Sequence, residues 1–204
     1  MGHSLNLTRT ALVLALVLSL PGPASGQTGT DAPSDGRISS TAGMLLKVGK
    51  IADESRLHLG GWAGLLFGEN LAIGGGGFAL MNDVELAGSE GGTGFDLGFG
   101  YGGLLFRYWE ALADPLTGEV GFLVGAGHAE VRDRLAGTEV GSDNFLVSEA
   151  EMGVVYTLID AFHVGLSVGY RLTAGVENLP GVSTTDLNGF TGTISVRLGR
   201  GRGR

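Results

Sequence analysis

Residues 162–172 read Phe-His-Val-Gly-Leu-Ser-Val-Gly-Tyr-Arg-Leu, and the stretch divides into two faces. Phe162, Val164, Leu166, Val168, Tyr170 and Leu172 fall on one face; His163, Gly165, Ser167, Gly169 and Arg171 fall on the other. A period of two is that of a β-strand, whose successive side chains point to opposite sides. Phe190–Leu198 repeats it, with Phe190, Ile194, Val196 and Leu198 against Thr191, Thr193, Ser195 and Arg197. So does the stretch that opens Phe95, Leu97, Phe99, Tyr101 against Asp96, Gly98, Gly100, Gly102.

Outward from these stretches the pattern recurs about eight times. The expected strands are Ala42–Ile51, Leu57–Phe67, Leu71–Asn82, Gly94–Tyr108, Val120–Val131, Asn144–Leu158, Phe162–Leu172 and Phe190–Leu198. Most reach the ~9–11 residues that a tilted strand needs to cross a bilayer. A soluble sandwich or ligand-binding barrel turns its large apolar row inward, whereas a membrane barrel turns it toward lipid. Here the polar row is mostly Gly, Ser and Thr with isolated charges of both signs, unlike a solvated strand face. The expected fold is therefore all-β: an up-and-down antiparallel transmembrane β-barrel of about eight strands. The large apolar rows, including Phe95, Leu97, Phe99 and Tyr101, are expected on the lipid side.

Composition agrees with a barrel. Glycine supplies 39 of 204 residues, against a usual share of about 7%. With 5 prolines and no Gly-X-Y period this is not collagen, and 43% apolar content argues against disorder. If Gly68-Glu69-Asn70 is a hairpin loop, Trp62 meets Gly76 and Gly60 meets Phe78 inside the barrel. A narrow barrel filled by side chains needs that large-to-small matching. Gly74–Gly77 lacks a following Gly-Lys-Ser/Thr and a helix, so it is no phosphate cradle. The pair Gly102-Gly103 suggests a bulge that carries Leu104, Phe106 and Tyr108 onto the lipid face.

The ends of the chain carry their own signals. Arg9, the apolar run Ala11–Leu20, the break Pro21-Gly22-Pro23 and the small residues Ala24 and Gly26 form a signal peptide, with cleavage expected before Gln27. The expected organisation is signal peptide 1–26, flexible periplasmic leader 27–41, barrel 42–198 and basic tail 199–204. The chain carries a net charge of −8; without its first 26 residues, which hold Arg9 and no acid, it carries −9. Such a chain is a poor partner for nucleic acid. Absence of cysteine excludes a disulfide framework, a thiolate metal site and a cysteine nucleophile.

Connections Gly68–Asn70 and Ile159–Ala161 are expected to be tight and Trp109–Glu119 moderate. Asp83–Thr93, Arg132–Asp143 and Thr173–Gly189 are expected to be long, acidic and extracellular. Phe67, Tyr108, Trp109, Tyr156 and Phe162 gather at the short-turn end as an aromatic girdle, and Phe95 and Phe190 lie at the opposite rim. Residues 42–198 resemble the small bacterial outer-membrane β-barrels. Gly60-Gly61-Trp62 to Phe67, Ile73–Phe78 and Gly100–Leu104 resemble a glycine-rich group of them. The resemblance implies outer-membrane lipid and the barrel-assembly machinery as partners, and no activity. That class usually ends on an aromatic residue, whereas here Leu198 is followed by Gly199-Arg200-Gly201-Arg202-Gly203-Arg204.

No catalytic, cofactor or metal set is expected. His58 and His163 face inward near opposite rims, and no HxH or HxxxH spacing occurs. Ser148, Glu149, His128 and Glu130 supply the residue types of a lipid-modifying site without its motif. Glu149 and Glu151 resemble an acid/base pair, yet the hairpin register sets Glu149 opposite Arg171, which favours structural pairing. The expected role is structural, adhesive or surface-interacting, through long acidic loops whose extracellular partner the sequence does not name. The alternatives are a lipid- or small-molecule-binding barrel, lipid-modifying in its catalytic form, and a soluble periplasmic ligand-binding barrel.

Overall fold

The computed structural model describes residues 38–51, 54–81, 84–86, 94–159 and 161–198. The expected signal peptide, most of the leader, the basic tail and most of Asp83–Thr93 lie outside them. Among the described residues nine strands form one antiparallel sheet: β1 (Ile38–Ile51), β2 (Glu54–Phe67), β3 (Leu71–Leu80), β4 (Val84–Leu86), β5 (Phe95–Ala113), β6 (Leu116–Asp133), β7 (Glu139–Ile159), β8 (Phe162–Ala174) and β9 (Gly189–Leu198). The order β3-β2-β1-β9-β8-β7-β6-β5 closes on itself through β3–β5 pairing. Eight long strands thus make an up-and-down barrel. The short β4 pairs only with the start of β5, Val84 facing Leu97.

The strands form where alternation foretells them, and β1 begins at Ile38, four residues before the expected Ala42. On β8, Leu166, Val168, Tyr170 and Leu172 are exposed while His163, Ser167, Arg171 and Thr173 are buried. On β9, Phe190, Ile194 and Leu198 point out and Thr191, Thr193 and Ser195 point in. The apolar rows of these strands therefore form the outer wall, and their polar rows line the lumen.

β5 reverses the expected reading. Leu97, Phe99, Tyr101, Leu105 and Trp109 are all buried, so the aromatic row faces the lumen. No bulge occurs at Gly102-Gly103. Pairing runs unbroken from Ala79 opposite Gly100 to Leu71 opposite Tyr108. Leu104, Phe106 and Tyr108 still face outward, because strict alternation from Tyr101 already puts them there. Large rings fit inside because the facing strand offers glycine: a Cβ on Gly60 would stand 2.4 Å from Phe78, and one on Gly127 only 2.2 Å from Phe145. Trp62 and Gly76 are cross-strand partners, as are Gly60 and Phe78. Phe99 and Phe145 stack at 5.2 Å, Phe78 and Tyr101 at 5.2 Å, and Trp62 and Trp109 at 6.1 Å. Trp109 accordingly leaves the expected girdle, where Phe67, Tyr108 and Tyr156 remain exposed. At the other rim Phe95 packs toward the core, while Phe190 is exposed and meets Tyr170 edge-on at 5.0 Å.

Two connections shrink. Ala113 pairs with Leu116, leaving Asp114-Pro115, joined by a cis peptide, in place of the moderate loop. Arg132 pairs with Glu139, so the expected long loop 132–143 becomes a five-residue tip. β7 spans 21 residues against 10 for β3 and β9. Among the described residues, the β6–β7 hairpin therefore projects at the rim on the long-connection side.

Candidate functional site

The lumen is filled by side chains. Lys47, Arg107, Arg171, Glu119, Glu149 and Glu151 are buried in it, on five different strands. The Lys47 ammonium donates to Glu149 Oε2 at 2.7 Å, stands 2.8 Å from Glu151 Oε1, and lies 3.6 Å over the Phe78 ring. The Tyr101 hydroxyl donates to the same Glu149 oxygen at 2.6 Å, and Thr191 donates to the other at 2.8 Å. Thr193 donates to Glu151 at 3.1 Å. Arg107 spans 3.4 Å to Glu151 and 2.5 Å to Glu119, which also accepts the Trp109 indole N–H at 2.5 Å. Toward the turn end Arg197 lies 4.3 Å over Trp109.

Each buried carboxylate is thus met by a cation and by neutral donors, the condition under which ionised groups persist away from water. The gap beside Lys47, Phe78, Glu149 and Glu151 measures about 10 Å³, about the space of one water molecule. Packed rings and crossing ion pairs occupy the axis that an open pore would need.

Arg171 does a different job. Its Nε donates to Leu187 O at 2.8 Å and an Nη to Lys50 O at 2.9 Å, and it sits 4.8 Å over Phe99. Leu187 ends a short 3₁₀ turn, Thr184–Leu187, within connection 175–188. Val176, Leu179, Val182 and Leu187 are buried there and join the barrel core. Asn188 accepts the Thr173 amide N–H at 2.6 Å, and Asp143 accepts the amides of Glu177 and Asn178 at 2.7 and 2.8 Å. These two amides hold the Asp143 carboxyl below its ordinary value of 3.8. The connection is therefore a folded lid, pinned from β1, β7 and β8.

The residues that the sequence singled out do not converge. His128 lies exposed on the outer wall, its Nδ1 3.1 Å from Asn144 Oδ1, whereas Glu149 points into the lumen. Outward Ser148 and inward Glu149 are neighbours on one strand and so take opposite faces. His58 is buried edge-on to Phe99 at 6.0 Å; His163 lies at the turn end, 3.0 Å from the Thr157 hydroxyl. The register sets Glu149 opposite Arg171, Glu151 opposite Gly169 and Gly153 opposite Ser167, as expected. At the turn it differs: a shift between Thr157 and Ile159 pairs Phe162 with Ile159, not Leu158. The expected Glu149–Arg171 ion pair also gives way, because Glu149 reaches Lys47 across the lumen while Arg171 turns to the lid. Lys47 is not among the residues singled out from the sequence; alternation along the first strand is the signal that would set it inward, and its partners lie across the lumen.

In fold the chain is similar to Neisserial surface protein A, with TM-score 0.51 and 14% identity over 79% of this chain and 98% of that one. The N-terminal β-barrel domain of Pseudomonas aeruginosa OprF follows at 0.46 and 12%, covering 79% and 98%. Ail, the attachment invasion locus protein of Yersinia pestis, gives 0.45 and 13%, covering 81% and 98%. At such identities the likeness is one of fold: the eight-stranded outer-membrane β-barrel. No protein-family profile and no curated protein matches the chain.

Proposed function

We propose that this chain is a bacterial outer-membrane barrel that acts as a surface-interaction protein, its contacts made by the lidded, projecting end. The observation that carries the reading is the division of labour between wall, lumen and rim. The wall is a continuous apolar surface, including Leu65, Leu104, Met152, Leu166 and Ile194, each at least half exposed. Only lipid solvates such a belt without a large cost. The lumen is plugged by its own ion pairs, which argues against transport. Among the described residues, what remains for specific contact is the end formed by the β6–β7 tip and the lid.

On this reading residues 1–26 direct export and the barrel-assembly machinery inserts the mature chain. The role is non-enzymatic: of the groups a hydrolase would bring together, Glu149 points into the lumen, and on the outer face Ser148 pairs with Val124 whereas His128 pairs with Asn144, four residues along the strand. A Gly-Ser replacement of residues 134–138, and separately of 177–186, tests it in cells whose barrel still migrates as a heat-modifiable band. Loss of surface attachment with an intact barrel is the expected result. Attachment unchanged in both variants would remove the role from this end of the molecule.

A further inference from the structure

On the outer wall, four residues form one cross-strand row. Tyr108 on β5 pairs with Val120 on β6, Val120 with Met152 on β7, and Met152 with Val168 on β8. In the next row Glu110 pairs with Gly118, which pairs with Val154. Gly118 has no side chain to fill its place between Glu110 and Val154, and the two rows enclose an open groove of about 490 Å³. Its lining is apolar apart from one end. There the exposed Glu110 carboxylate accepts the Tyr108 hydroxyl at 2.7 Å, its one polar partner among the described residues.

We infer that this groove is a phospholipid site selective for an ammonium headgroup, of the phosphatidylethanolamine class. The inference rests on the membrane reading above, which surrounds the groove with lipid. Tyr108 belongs to the aromatic girdle at the short-turn end, so Glu110 stands at the level of the headgroups, whereas Val168 lies mid-strand among hydrocarbon-facing residues. A chain lying along the row Val120–Met152–Val168 places its headgroup at Glu110. A carboxylate at that boundary attracts an ammonium and repels a headgroup whose net charge is negative. The Tyr108 hydroxyl fixes one carboxylate oxygen and leaves the other for the lipid.

The test is native mass spectrometry of the full barrel released from micelles. Phosphatidylethanolamine and phosphatidylglycerol of identical acyl chains are supplied in equal amounts. The wild-type barrel is expected to retain several-fold more of the ethanolamine lipid. Glu110→Gln, a near-isosteric change, is expected to bring the two adducts to parity, and Gly118→Leu to reduce both by filling the groove. Equal retention by the wild type, a preference that survives Glu110→Gln, or a second copy of the chain displaced by lipid would each overturn the inference. Heat-modifiable migration after insertion into vesicles is read on the same samples. A barrel that inserts but does not discriminate defeats this inference alone, and a chain that does not insert defeats the membrane reading beneath it.

Discussion

Lys47 and Glu149 stand 102 positions apart in the chain, on β1 and β7, and meet at 2.7 Å with both side chains almost wholly buried. The contact crosses the lumen, not neighbouring strands, so no hairpin register contains it. Removing the ammonium leaves Glu149 with hydroxyl donors only and strips Glu151 of its nearer cation. Lys47→Met is therefore expected to cost about 3–5 kcal/mol, the range for a buried charge left unpaired. Adding Glu149→Gln should recover part of that loss, whereas Glu149→Gln with Arg171→Met should be close to additive. Urea titration of barrels folded into lipid vesicles measures all these variants. Strict additivity of the first pair would dissolve the proposed coupling.

Glycine at 127 is a packing requirement. Phe145 occupies the space of its missing side chain, and the ring in turn stacks on Phe99. Gly127→Val is expected to destabilise by about 1–3 kcal/mol through overpacking. Phe145→Leu in the same chain should restore part of the loss, although Phe145→Leu alone destabilises. A double variant no better than Gly127→Val alone would count against the ring as the obstacle.

Leu166 is 62% exposed on the outer wall, midway along β8. Leu166→Arg is expected to cost roughly 2–4 kcal/mol in a bilayer. Arginine at Leu135, 78% exposed on the hairpin tip, should stay within about 0.5 kcal/mol, as surface changes usually do. Ser167→Arg, which a roomy polar lumen would tolerate, should instead prevent native folding, because Ser167 is packed against Gly153. Equal folding free energies for the Leu166 and Leu135 variants would mean that the outer wall does not meet lipid.

The contribution of Asp143 to the lid has a definite pH sign. Its folded value lies below the ordinary 3.8, held down by the amides of Glu177 and Asn178. That stabilisation is complete above the unfolded value and is lost as pH falls through the lower folded one. The amide resonances of Glu177 and Asn178, followed by NMR on acidification, should shift together with a midpoint below 3.8, and Asp143→Ala should abolish the transition. A midpoint at the ordinary value would mean that the two amides do not hold the carboxylate.

Export predicts a mature chain that begins at Gln27, because Ala24 and Gly26 supply the small residues at −3 and −1. Sequencing the N-terminus of envelope-purified protein decides it, and an intact Met1 in that fraction would contradict cleavage.

Much of this molecule was legible in one dimension, and the failures share a cause. β8 and β9 were readable because one row is large and apolar and the other small and polar, so period two fixes both strand and orientation. β5 was readable as a strand but not by face. Phe95–Tyr101 alternates Phe, Leu and Tyr with Asp and Gly, and its row turns inward among Phe78 and Phe145, whose rings take the space left by Gly60 and Gly127 on the strands beside theirs. The upper β6–β7 hairpin was missed because residues 139–144, Glu-Val-Gly-Ser-Asp-Asn, are mostly polar on both faces once they leave the apolar belt. Glu149 was correctly set opposite Arg171, yet long side chains in a narrow lumen choose partners across the barrel. Register specifies neighbours on the wall and says little about who meets at the centre.

The unequal strand lengths have a consequence for approach. Leu146, 67% exposed, is followed on the outward row of β7 by Asn144, Ser142 and Val140, and the strand continues seven residues beyond Leu146 to its end at Glu139. At ~3.3 Å per residue and a tilt near 45°, that lifts the hairpin roughly 15–20 Å above the apolar belt. The opposite side of the rim, where β1 and β2 turn back at Ile51 and Glu54, has no such extension. The molecule thus presents a slanted parapet, with Leu135 at its crest. A visitor gliding along the membrane plane is met on one flank by a wall and on the other by a low sill, so its orientation is chosen before any side chain is read.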